Sequence, residues 1–225
     1  MSDIPILKIP TLAIARSNQR FPVRRIFCVG QNYADHAREM GSDPQRQRPF
    51  FFTKPADAVV DSGLSLPFPP MTQELHHEVE LVVALGKGGV EVKAADAPSM
   101  IFGHAVGIDL TRRDLQAEAK KTGRPWDMAK GFDHSAPIGP VMRGVPPREA
   151  AITLSIDGRI RQSGDLADMI WSVSDIIAFL STYVALAPGD LIFTGTPAGV
   201  GPIQRGERVQ GVIAGIDPVD VRFAE

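Results

Sequence analysis

The run from residue 76 to residue 85 constrains this chain most, because it places two acids one residue apart inside an otherwise apolar stretch. The alternation predicts a β-strand in which Glu78 and Glu80 share one face, while Val79 and Leu81 share the other. Two neighbouring carboxylates on a largely buried strand repel each other and lose their hydration. A hard divalent cation between them relieves both costs. The alternative is a solvated edge strand that carries its acids on the wet face.

A third acid, Asp109, closes another apolar segment, residues 100–109, which we predict to be a strand. Three carboxylates without a nearby cysteine form an oxygen-rich ligand set that suits Mg2+ or Mn2+ better than zinc. The rival interpretation makes Asp109 the N-cap of a helix predicted over residues 111–121. His76 and His77 are further candidate ligands, but the strand alternation turns His77 away from the acids and leaves His76 at the mouth of the strand.

A histidine and a glutamate share one face of a helix that we predict over residues 32–40, ended by Gly41. These residues, His36 and Glu39, lie three apart in the chain. A carboxylate beside a histidine fixes its tautomer and raises its basicity, which produces a general base able to deprotonate water. The alternative is an exposed helical pair of weak structural value, since such pairs are abundant.

Several basic residues lie near the acids, where they could neutralise the carboxylate of an anionic substrate. They are Lys54, Arg112, Arg113 and Lys130. The Gly-rich turn over residues 195–201 contains Thr196, whose hydroxyl and neighbouring backbone amides could also bind a carboxylate. This turn lacks the Gly-Lys-Ser/Thr ending of a phosphate-binding loop, which argues against nucleotide binding. No Gly-x-Ser-x-Gly motif is present, which argues against a serine hydrolase.

Frequent turns shape the predicted fold, because 19 prolines and 21 glycines interrupt the chain. We predict further strands over residues 26–29, 49–54, 152–156 and 191–194, a hairpin turn at Asp157-Gly158, and a helix over residues 173–186. The predicted fold class is α+β, dominated by strands, with peripheral helices. We expect residues 1–20 to form an N-terminal extension and residues 21–225 to form a single catalytic domain.

Composition narrows the functional classes. The net charge of −2 and the lack of a long basic run argue against a nucleic-acid partner. The chain shows neither an apolar stretch of transmembrane length nor a signal peptide, so we expect no membrane partner. A lone cysteine, Cys28, rules out an intramolecular disulfide framework, and its apolar neighbours predict a buried hydrophobe. We therefore expect a cytoplasmic protein that acts on a small molecule.

Together these segments resemble the fumarylacetoacetate hydrolase family, and within it the short acylpyruvate and fumarylpyruvate hydrolases. The likeness runs in family order from about residue 24 to residue 201. It is carried by the stretches Phe27–His36, Phe52–Pro55, His76–Leu81, Gly107–Gln116, Lys130–Asp133 and Phe193–Gly201. We expect no separate N-terminal domain of the kind found in the long fumarylacetoacetases, which makes their substrate less favoured.

The resemblance implies a mixed β-sandwich roll, usually a homodimer, that binds Mg2+ or Mn2+ through Glu78, Glu80 and Asp109. It also implies that His36 and Glu39 form the water-activating pair and that Lys130 is a catalytic lysine. The substrate-holding residues that it implies are Arg113, Gln116, Thr196 and, with a less defined role, Lys54. The family also contains decarboxylases and isomerases that use the same metal triad.

The expected activity is metal-dependent hydrolysis of a C–C bond in a 2,4-diketo acid. The preferred substrate is fumarylpyruvate, cleaved to fumarate and pyruvate in the catabolism of aromatic compounds, with related acylpyruvates also possible. The alternatives are an oxaloacetate decarboxylase or a 2-hydroxy-diene-dioate isomerase of the same family, and a non-catalytic keto-acid-binding protein. For the acyl end of the substrate pocket the candidates are Gln31, Phe132 and His134, whereas Phe51 and Phe52 are expected in the core.

Overall fold

The computed structural model describes residues 8–39 and 48–225, and strands far outnumber helices in these ranges. The strands are β1 (Thr11–Ala13), β2 (Arg20–Pro22), β3 (Arg25–Gly30), β4 (Phe50–Lys54), β5 (Val59–Asp61), β6 (Ser65–Leu66), β7 (Leu75–His77), β8 (Val79–Leu85), β9 (Ile101–Ile108), β10 (Thr111–Arg112), β11 (Ala136–Ile138), β12 (Met142–Arg143), β13 (Ala151–Ile156), β14 (Arg159–Asp165), β15 (Asp190–Phe193), β16 (Gly201–Pro202), β17 (Arg208–Ile213) and β18 (Val219–Phe223). The α+β, strand-dominated prediction is confirmed.

The helices are short and lie at the periphery. They are α1 (Ala34–Glu39), α2 (Arg113–Thr122), α3 (Asp127–Lys130) and α4 (Val173–Leu180), with 3-10 turns at Ala56–Ala58, Ala97–Met100 and Leu166–Asp168. Gly123 ends α2 in the left-handed conformation, with φ of 67°, which glycine adopts without the steric cost of a side chain. Within the described residues no helix has the length and apolar character needed to cross a membrane.

An eight-stranded mixed sheet places the acid-bearing strand near its centre. The strand order is β4-β3-β15-β8-β9-β11-β5, with β12 beside β9. Strands β3 and β15 are parallel, as are β5 and β11, and β8 is antiparallel to both of its neighbours. In the register of β8 with β9, Glu80 lies opposite Gly107 and Val79 opposite Ile108. The next residues outward, Glu78 and Asp109, are therefore brought together.

A five-stranded sheet of order β14-β13-β17-β18-β6 covers one face of this main sheet. The side chains of β8 that alternate with Glu80 form the core between the two sheets, together with apolar residues from β13, β17 and β18. This shared core includes Val79, Leu81, Val83, Leu85, Ile152, Leu154, Val209, Val219 and Val221. Two sheets packed face to face over a common apolar layer form a β-sandwich, which agrees with the predicted β-sandwich roll.

The other face of the main sheet has a second core. It contains Val82 and Ala84 from β8, Cys28 from β3 and Phe193 from β15, and the β1–β2 hairpin adds Leu12. All seven residues of β8 are consequently buried, which excludes the solvated edge strand. Burial, with the nearby charge of Asp109 as a smaller cause, raises the pKa of the Cys28 thiol well above its usual value. Cys28 is thus the buried hydrophobe that the sequence predicts.

Some element boundaries differ from the predictions. Residues 76–85 form two strands, because β7 pairs with β10 and β16 whereas β8 pairs with β9 and β15, so the chain changes sheets at Glu78. The helix predicted over residues 173–186 stops at Leu180, where the hydroxyls of Ser181 and Thr182 donate hydrogen bonds to carbonyls of the last turn.

Other elements were placed inexactly or missed. The helix predicted over residues 111–121 begins later, at Arg113. Strands β17 and β18 were not predicted, whereas the hairpin turn predicted at Asp157-Gly158 is confirmed and joins β13 to β14. The helix predicted over residues 32–40 is observed as α1, while its last residue, Met40, and the proposed terminator Gly41 lie outside the described residues.

We expect Gly107→Ala to destabilise the fold, because Gly107 in β9 lies against bulky side chains of β8 and β15. A Cβ atom at this position would lie 2.5 Å from Val82 Cγ2 and 2.8 Å from Phe193 Cε1, and both of these side chains are buried. Overpacking of this kind costs about 1–3 kcal/mol. Urea denaturation should show this loss in Gly107→Ala but not in Gly201→Ala, whose Cβ meets only His77 Nε2, at 3.7 Å. Equal stability of the two variants would contradict the packing argument.

Candidate active site

Three acids from two neighbouring strands converge into one buried cluster. Glu78 lies at the break between β7 and β8, Glu80 lies in β8, and Asp109 follows β9. Each contributes one carboxylate oxygen to a group whose members all lie within 4.8 Å of one another. A backbone hydrogen bond of 2.8 Å from Asp109 N to Glu78 O locks the register that brings them together. The predicted convergence of Glu78, Glu80 and Asp109 is therefore present in the structure.

Cationic side chains neutralise two of the three acids. Lys130 Nζ lies 2.9 Å from Glu78 Oε2 and 2.7 Å from Asp109 Oδ2, and Arg113 forms a second ion pair with Glu78. Burial by itself would raise the pKa of Glu78, but the charges of Lys130 and Arg113 outweigh it and hold the pKa well below the usual range. Burial would likewise lower the pKa of Lys130, yet Asp109 and Glu78 raise it. Lys130 is thus a protonated donor at neutral pH.

Within the described residues Glu80 forms no ion pair, which makes it the electrostatically unfavourable member of the cluster. Burial raises its pKa well above the usual value, and repulsion from Asp109 and Glu78 raises it further. Its hydrogen-bond donor is the backbone N–H of Gly195, 2.6 Å from Oε2. A cation bound beside this buried carboxylate would strongly stabilise its ionised form.

The donor set fits a divalent metal ion. Asp109 Oδ1 is fully buried and has no hydrogen-bond partner, although Lys54 Nζ lies 2.8 Å away as an ion pair. Asp109 does not cap a helix, because α2 begins at Arg113 with Arg112 as its N-cap, so the capping interpretation is wrong. A buried, all-carboxylate set with an oxygen left without a hydrogen bond suits Mg2+ or Mn2+. Such an ion would be held by Glu78, Glu80 and Asp109.

His36 lies in the same cavity as the acids, so the histidine of the predicted pair is not exposed, whereas Glu39 is. It is 5% exposed and lines the cavity with Glu78 and Glu80. Burial lowers the pKa of His36, and this effect outweighs the opposing influence of Glu78 and Glu39, so the imidazole is neutral at pH 7. Its Nδ1 lies 3.6 Å from Glu39 Oε2 and has no hydrogen bond. A neutral buried imidazole beside a carboxylate has the properties of a general base.

Side-chain hydrogen bonds connect both ends of α1 to the segment that follows β15. The side chain of Asn32 donates a 2.8 Å hydrogen bond to Thr194 O and accepts one of 2.7 Å from Trp171 N. At the other end of α1, both carboxylate oxygens of Glu39 accept hydrogen bonds from Gly199 N, at 3.1 and 3.2 Å. These contacts position His36 over the acid cluster.

The residues predicted to hold substrate divide into two groups. Arg113, Gln116 and Thr196 line the cavity. Lys54 does not: its side chain is fully buried behind Asp109, and its Nζ donates hydrogen bonds to Leu110 O and to the backbone carbonyl of Lys130. Lys54 therefore lies beside Asp109 and outside the residues that line the cavity.

The two strand histidines lie beside the cluster without joining it. His77 Nδ1 lies 2.9 Å from the side-chain oxygen of Gln162, on the face opposite the acids, as the alternation predicts. His76 accepts a hydrogen bond from Arg113 Nε, at 3.3 Å. Burial and the charge of Arg113 lower the pKa of His76 to about 4. Neither histidine belongs to the carboxylate cluster found in the described residues.

An aromatic wall of the cavity was missed by the sequence reasoning. It consists of Phe50, Phe52 and Trp126, and the cavity is also lined by Gln31 and Lys120. Phe51 and Phe52 both pack against the apolar cores, as expected, but strand alternation also turns Phe50 and Phe52 to the cavity and Phe51 to Phe179. Phe132 and His134 do not line the cavity. The alternation in β4 was visible in the sequence, whereas the approach of Trp126 was not.

The chain matches a known enzyme family over most of its length. Residues 25–224 match the model described as fumarylacetoacetate (FAA) hydrolase C-terminal. The chain therefore belongs to the fumarylacetoacetate hydrolase family, as the resemblance predicted.

Similar proteins of this family include enzymes with different reactions. The fold matches the crystal structure of fumarylpyruvate hydrolase from Pseudomonas aeruginosa in complex with Mn2+ and pyruvate, with a TM-score of 0.96, 50% identity and coverage of 98% of each chain. The sequence is 42% identical over 181 residues to fumarylpyruvate hydrolase from a Ralstonia species, covering 80% of this chain and 94% of the relative. It is also 41% identical over 203 residues to a mitochondrial oxaloacetate tautomerase from Mus musculus, covering 89% and 90%.

Proposed function

We propose that this protein is a divalent-metal-dependent hydrolase that cleaves the C–C bond of a 2,4-diketo acid, with fumarylpyruvate as the preferred substrate. The observation that carries the proposal is a neutral, buried His36 lining the same cavity as the Glu78–Glu80–Asp109 cluster. Hydrolysis needs a base for water, which that histidine supplies, and charge stabilisation, which an ion at the acids supplies. The likeness to two fumarylpyruvate hydrolases supports the substrate.

The metal-binding part of the site would consist of Glu78, Glu80 and Asp109. Mg2+ or Mn2+ held there would act as a Lewis acid that stabilises negative charge on the oxygens of the pyruvate moiety. The Mn2+ in the Pseudomonas aeruginosa structure supports this choice of ions.

His36 and Glu39 would activate the attacking water. The neutral imidazole removes a proton while the water oxygen bonds to the distal carbonyl carbon of the substrate. Glu39, 3.6 Å away and held by Gly199 N, then stabilises the imidazolium that forms. The C–C bond breaks with its electron pair leaving as a pyruvate enolate, and the acyl part leaves as fumarate.

The remaining cavity residues would orient the substrate and receive the enolate. Arg113 and Gln116 lie one helical turn apart on α2 and present a guanidinium and an amide to an anionic substrate. Thr196 is fixed by a 2.8 Å hydrogen bond to Val79 O. Lys130 is protonated and borders the acid cluster, so it can stabilise the enolate oxygen or supply the proton that converts the enolate to pyruvate.

The direct test follows the ultraviolet absorbance of the diketo acid. Metal-stripped protein is mixed with fumarylpyruvate or acetylpyruvate, with and without added Mg2+ or Mn2+, and released pyruvate is measured separately. We expect metal-dependent loss of absorbance with equimolar pyruvate. Stoichiometric change that stops after one equivalent would instead indicate a keto-acid-binding protein without turnover.

A second candidate keeps the metal site and omits the attacking water. Decarboxylation or tautomerisation of oxaloacetate, or isomerisation of a 2-hydroxy-diene-dioate, passes through an enol or enolate without hydrolysis. The 41% identity to an oxaloacetate tautomerase supports this class of reaction without hydrolysis as the second candidate. Consumption of oxaloacetate with no cleavage of either diketo acid would select it.

We also propose a homodimer that acts in the cytoplasm in the breakdown of aromatic compounds, on the basis of family kinship. Sedimentation equilibrium of the purified chain tests the dimer, for which a mass near twice the 24.3 kDa monomer is expected. A single species at the monomer mass would contradict it.

The rate of hydrolysis should depend on pH through His36. Because burial lowers the pKa of His36, the neutral base persists below the ordinary histidine value of about 6.5, and activity is lost only as pH falls through the lowered pKa. Glu39 opposes this shift, so Glu39→Gln should move the acid limb of kcat/KM to still lower pH while slowing the reaction. A profile of kcat/KM from pH 4 to 8, recorded for the wild type and for Glu39→Gln, measures the acid limb of each protein. An acid limb at higher pH in Glu39→Gln would contradict the assignment.

A further inference from the structure

A third lysine borders the candidate active site in addition to the two that contact the acids. Lys120 lies on α2, four residues after Gln116 and seven after Arg113, so helical spacing places all three on one side of the helix. All three line the cavity that contains the acid cluster. Lys120 is therefore part of the wall that a bound substrate would meet.

Lys120 differs from the other cavity cations in having no acidic partner. Arg113 and Lys130 are both paired with Glu78, whereas among the ion pairs of the described residues Lys120 has none. Burial lowers the pKa of Lys120 and the charge of Arg113 lowers it further, while Glu78 opposes the shift. An anion beside the Lys120 ammonium group would therefore offset both its partial loss of hydration and its repulsion from Arg113.

Aromatic rings flank Lys120 and shape the space beside it. Its Nζ lies 5.2 Å from the ring centroid of Trp126. Trp126 packs edge-on against Phe50, at 5.7 Å between centroids, and tilted against Phe52, at 5.9 Å. The Phe50 ring closes over Gly30, where an added Cβ would lie only 1.9 Å from Cζ. A wall of this kind accommodates a flat, conjugated acyl chain.

We propose that Lys120 binds a carboxylate at the far end of the acyl group, and that the aromatic wall of Phe50, Phe52 and Trp126 receives the unsaturated chain between the two ends. This inference rests on the proposed function and narrows it to diketo acids that carry a carboxylate at both ends. Arg113 and Gln116 hold the pyruvate end beside the acids, while Lys120 selects the acyl end. Lys120 is a specificity residue and takes no part in bond cleavage.

The test compares a doubly acidic with a singly acidic substrate in matched variants. Lys120→Met removes the charge, and Lys121→Met removes the same charge from the next residue, which is exposed like Lys120 but does not line the cavity. Lys120→Met should lower kcat/KM for fumarylpyruvate about 10- to 100-fold, mainly through KM, as expected for a lost charge-assisted hydrogen bond. For acetylpyruvate, which has no carboxylate at its acyl end, kcat/KM of Lys120→Met should change less than about threefold, as expected for an exposed charge without a partner on the substrate. Lys121→Met should match the wild type on both substrates, and Lys120→Arg should restore part of the selectivity.

Binding of fumarate supplies a second measurement that does not depend on cleavage. By titration calorimetry, Lys120→Met should bind fumarate about tenfold more weakly than the wild type, with oxalate affinity unchanged because oxalate is too short to span the cavity. Equal losses for both diketo acids, or unchanged selectivity and unchanged fumarate affinity, would overturn the proposal. If the wild type cleaves neither diketo acid, the proposed hydrolysis fails, and the fumarate comparison still decides the role of Lys120.

Discussion

Glu80→Gln is expected to abolish metal-dependent activity while leaving the metal-free protein more stable than the wild type. Glu80 is the acid without a cationic partner, and burial together with repulsion from Asp109 and Glu78 raises its pKa. An amide of the same shape removes this unfavourable charge, so the free energy of unfolding of the metal-free protein should rise by about 1–3 kcal/mol. Loss of one carboxylate ligand should lower kcat/KM about 10³-fold, because metal-ion stabilisation is worth several kcal/mol.

The opposite signs of these two effects make the experiment decisive. Mn2+ affinity is measured by titration calorimetry, stability by urea denaturation in a chelator, and turnover by the absorbance assay. Glu118→Gln is the matched control, since Glu118 is an exposed acid on α2 paired only with Arg124 at 3.4 Å. The control should bind Mn2+ as the wild type does. A stabilised Glu80→Gln variant that retained full Mn2+ affinity would show that Glu80 is not a ligand.

His36→Ala is expected to separate hydrolysis from reactions that need no attacking water. A positioned general base contributes about 10²–10⁴-fold to rate, so hydrolysis of fumarylpyruvate should fall by that factor. Decarboxylation of oxaloacetate, which requires only the acid cluster and its ion, should fall less than about threefold on the same reasoning. Both rates are measured with the same metal-loaded preparation, by absorbance and by coupled detection of pyruvate.

His134→Asn provides a matched histidine control for this separation. His134 does not line the cavity, and its positive φ of 61° is a conformation that asparagine tolerates well. It should leave both rates unchanged. Equal losses of hydrolysis and decarboxylation in His36→Ala would remove His36 from the role of base and would point to a structural contribution of α1.

The shared face of Glu78 and Glu80 could be anticipated because it depends on short-range periodicity, whereas Asp109 joins them through the pairing of β8 with β9. Alternation in β8 predicts that Glu78 and Glu80 face away from Val79 and Leu81, and the structure agrees. Alternation cannot show the change of sheets at Glu78, which depends on pairing with strands far away in the chain. The helix spacing of His36 and Glu39 was likewise visible, but the burial of His36 depends on a cavity built from distant segments.

The parts that the sequence analysis missed are contacts between side chains from separate elements. Lys54 looked like a substrate-binding lysine because it follows a run of phenylalanines, whereas the structure turns it behind Asp109. Trp126 and Lys120 meet only because α2 and α3 pack side by side, which no local pattern predicts. In contrast, β17 and β18 show apolar residues at alternate positions, so these two strands were within reach of the same reasoning that found β8.

The pairing of β8 with β9 makes the proposed metal site a reporter of correct strand alignment. Glu80 and Asp109 are 29 positions apart in the chain, and they meet only because Glu80 pairs with Gly107 and Val79 with Ile108. A slip of one residue would reverse the faces of β8 relative to β9 and would send one acid into the apolar layer between the sheets. The same register therefore determines whether the apolar core packs and whether the three acids can bind a cation. Mn2+ uptake during refolding would therefore report when β8 and β9 have paired in the native register.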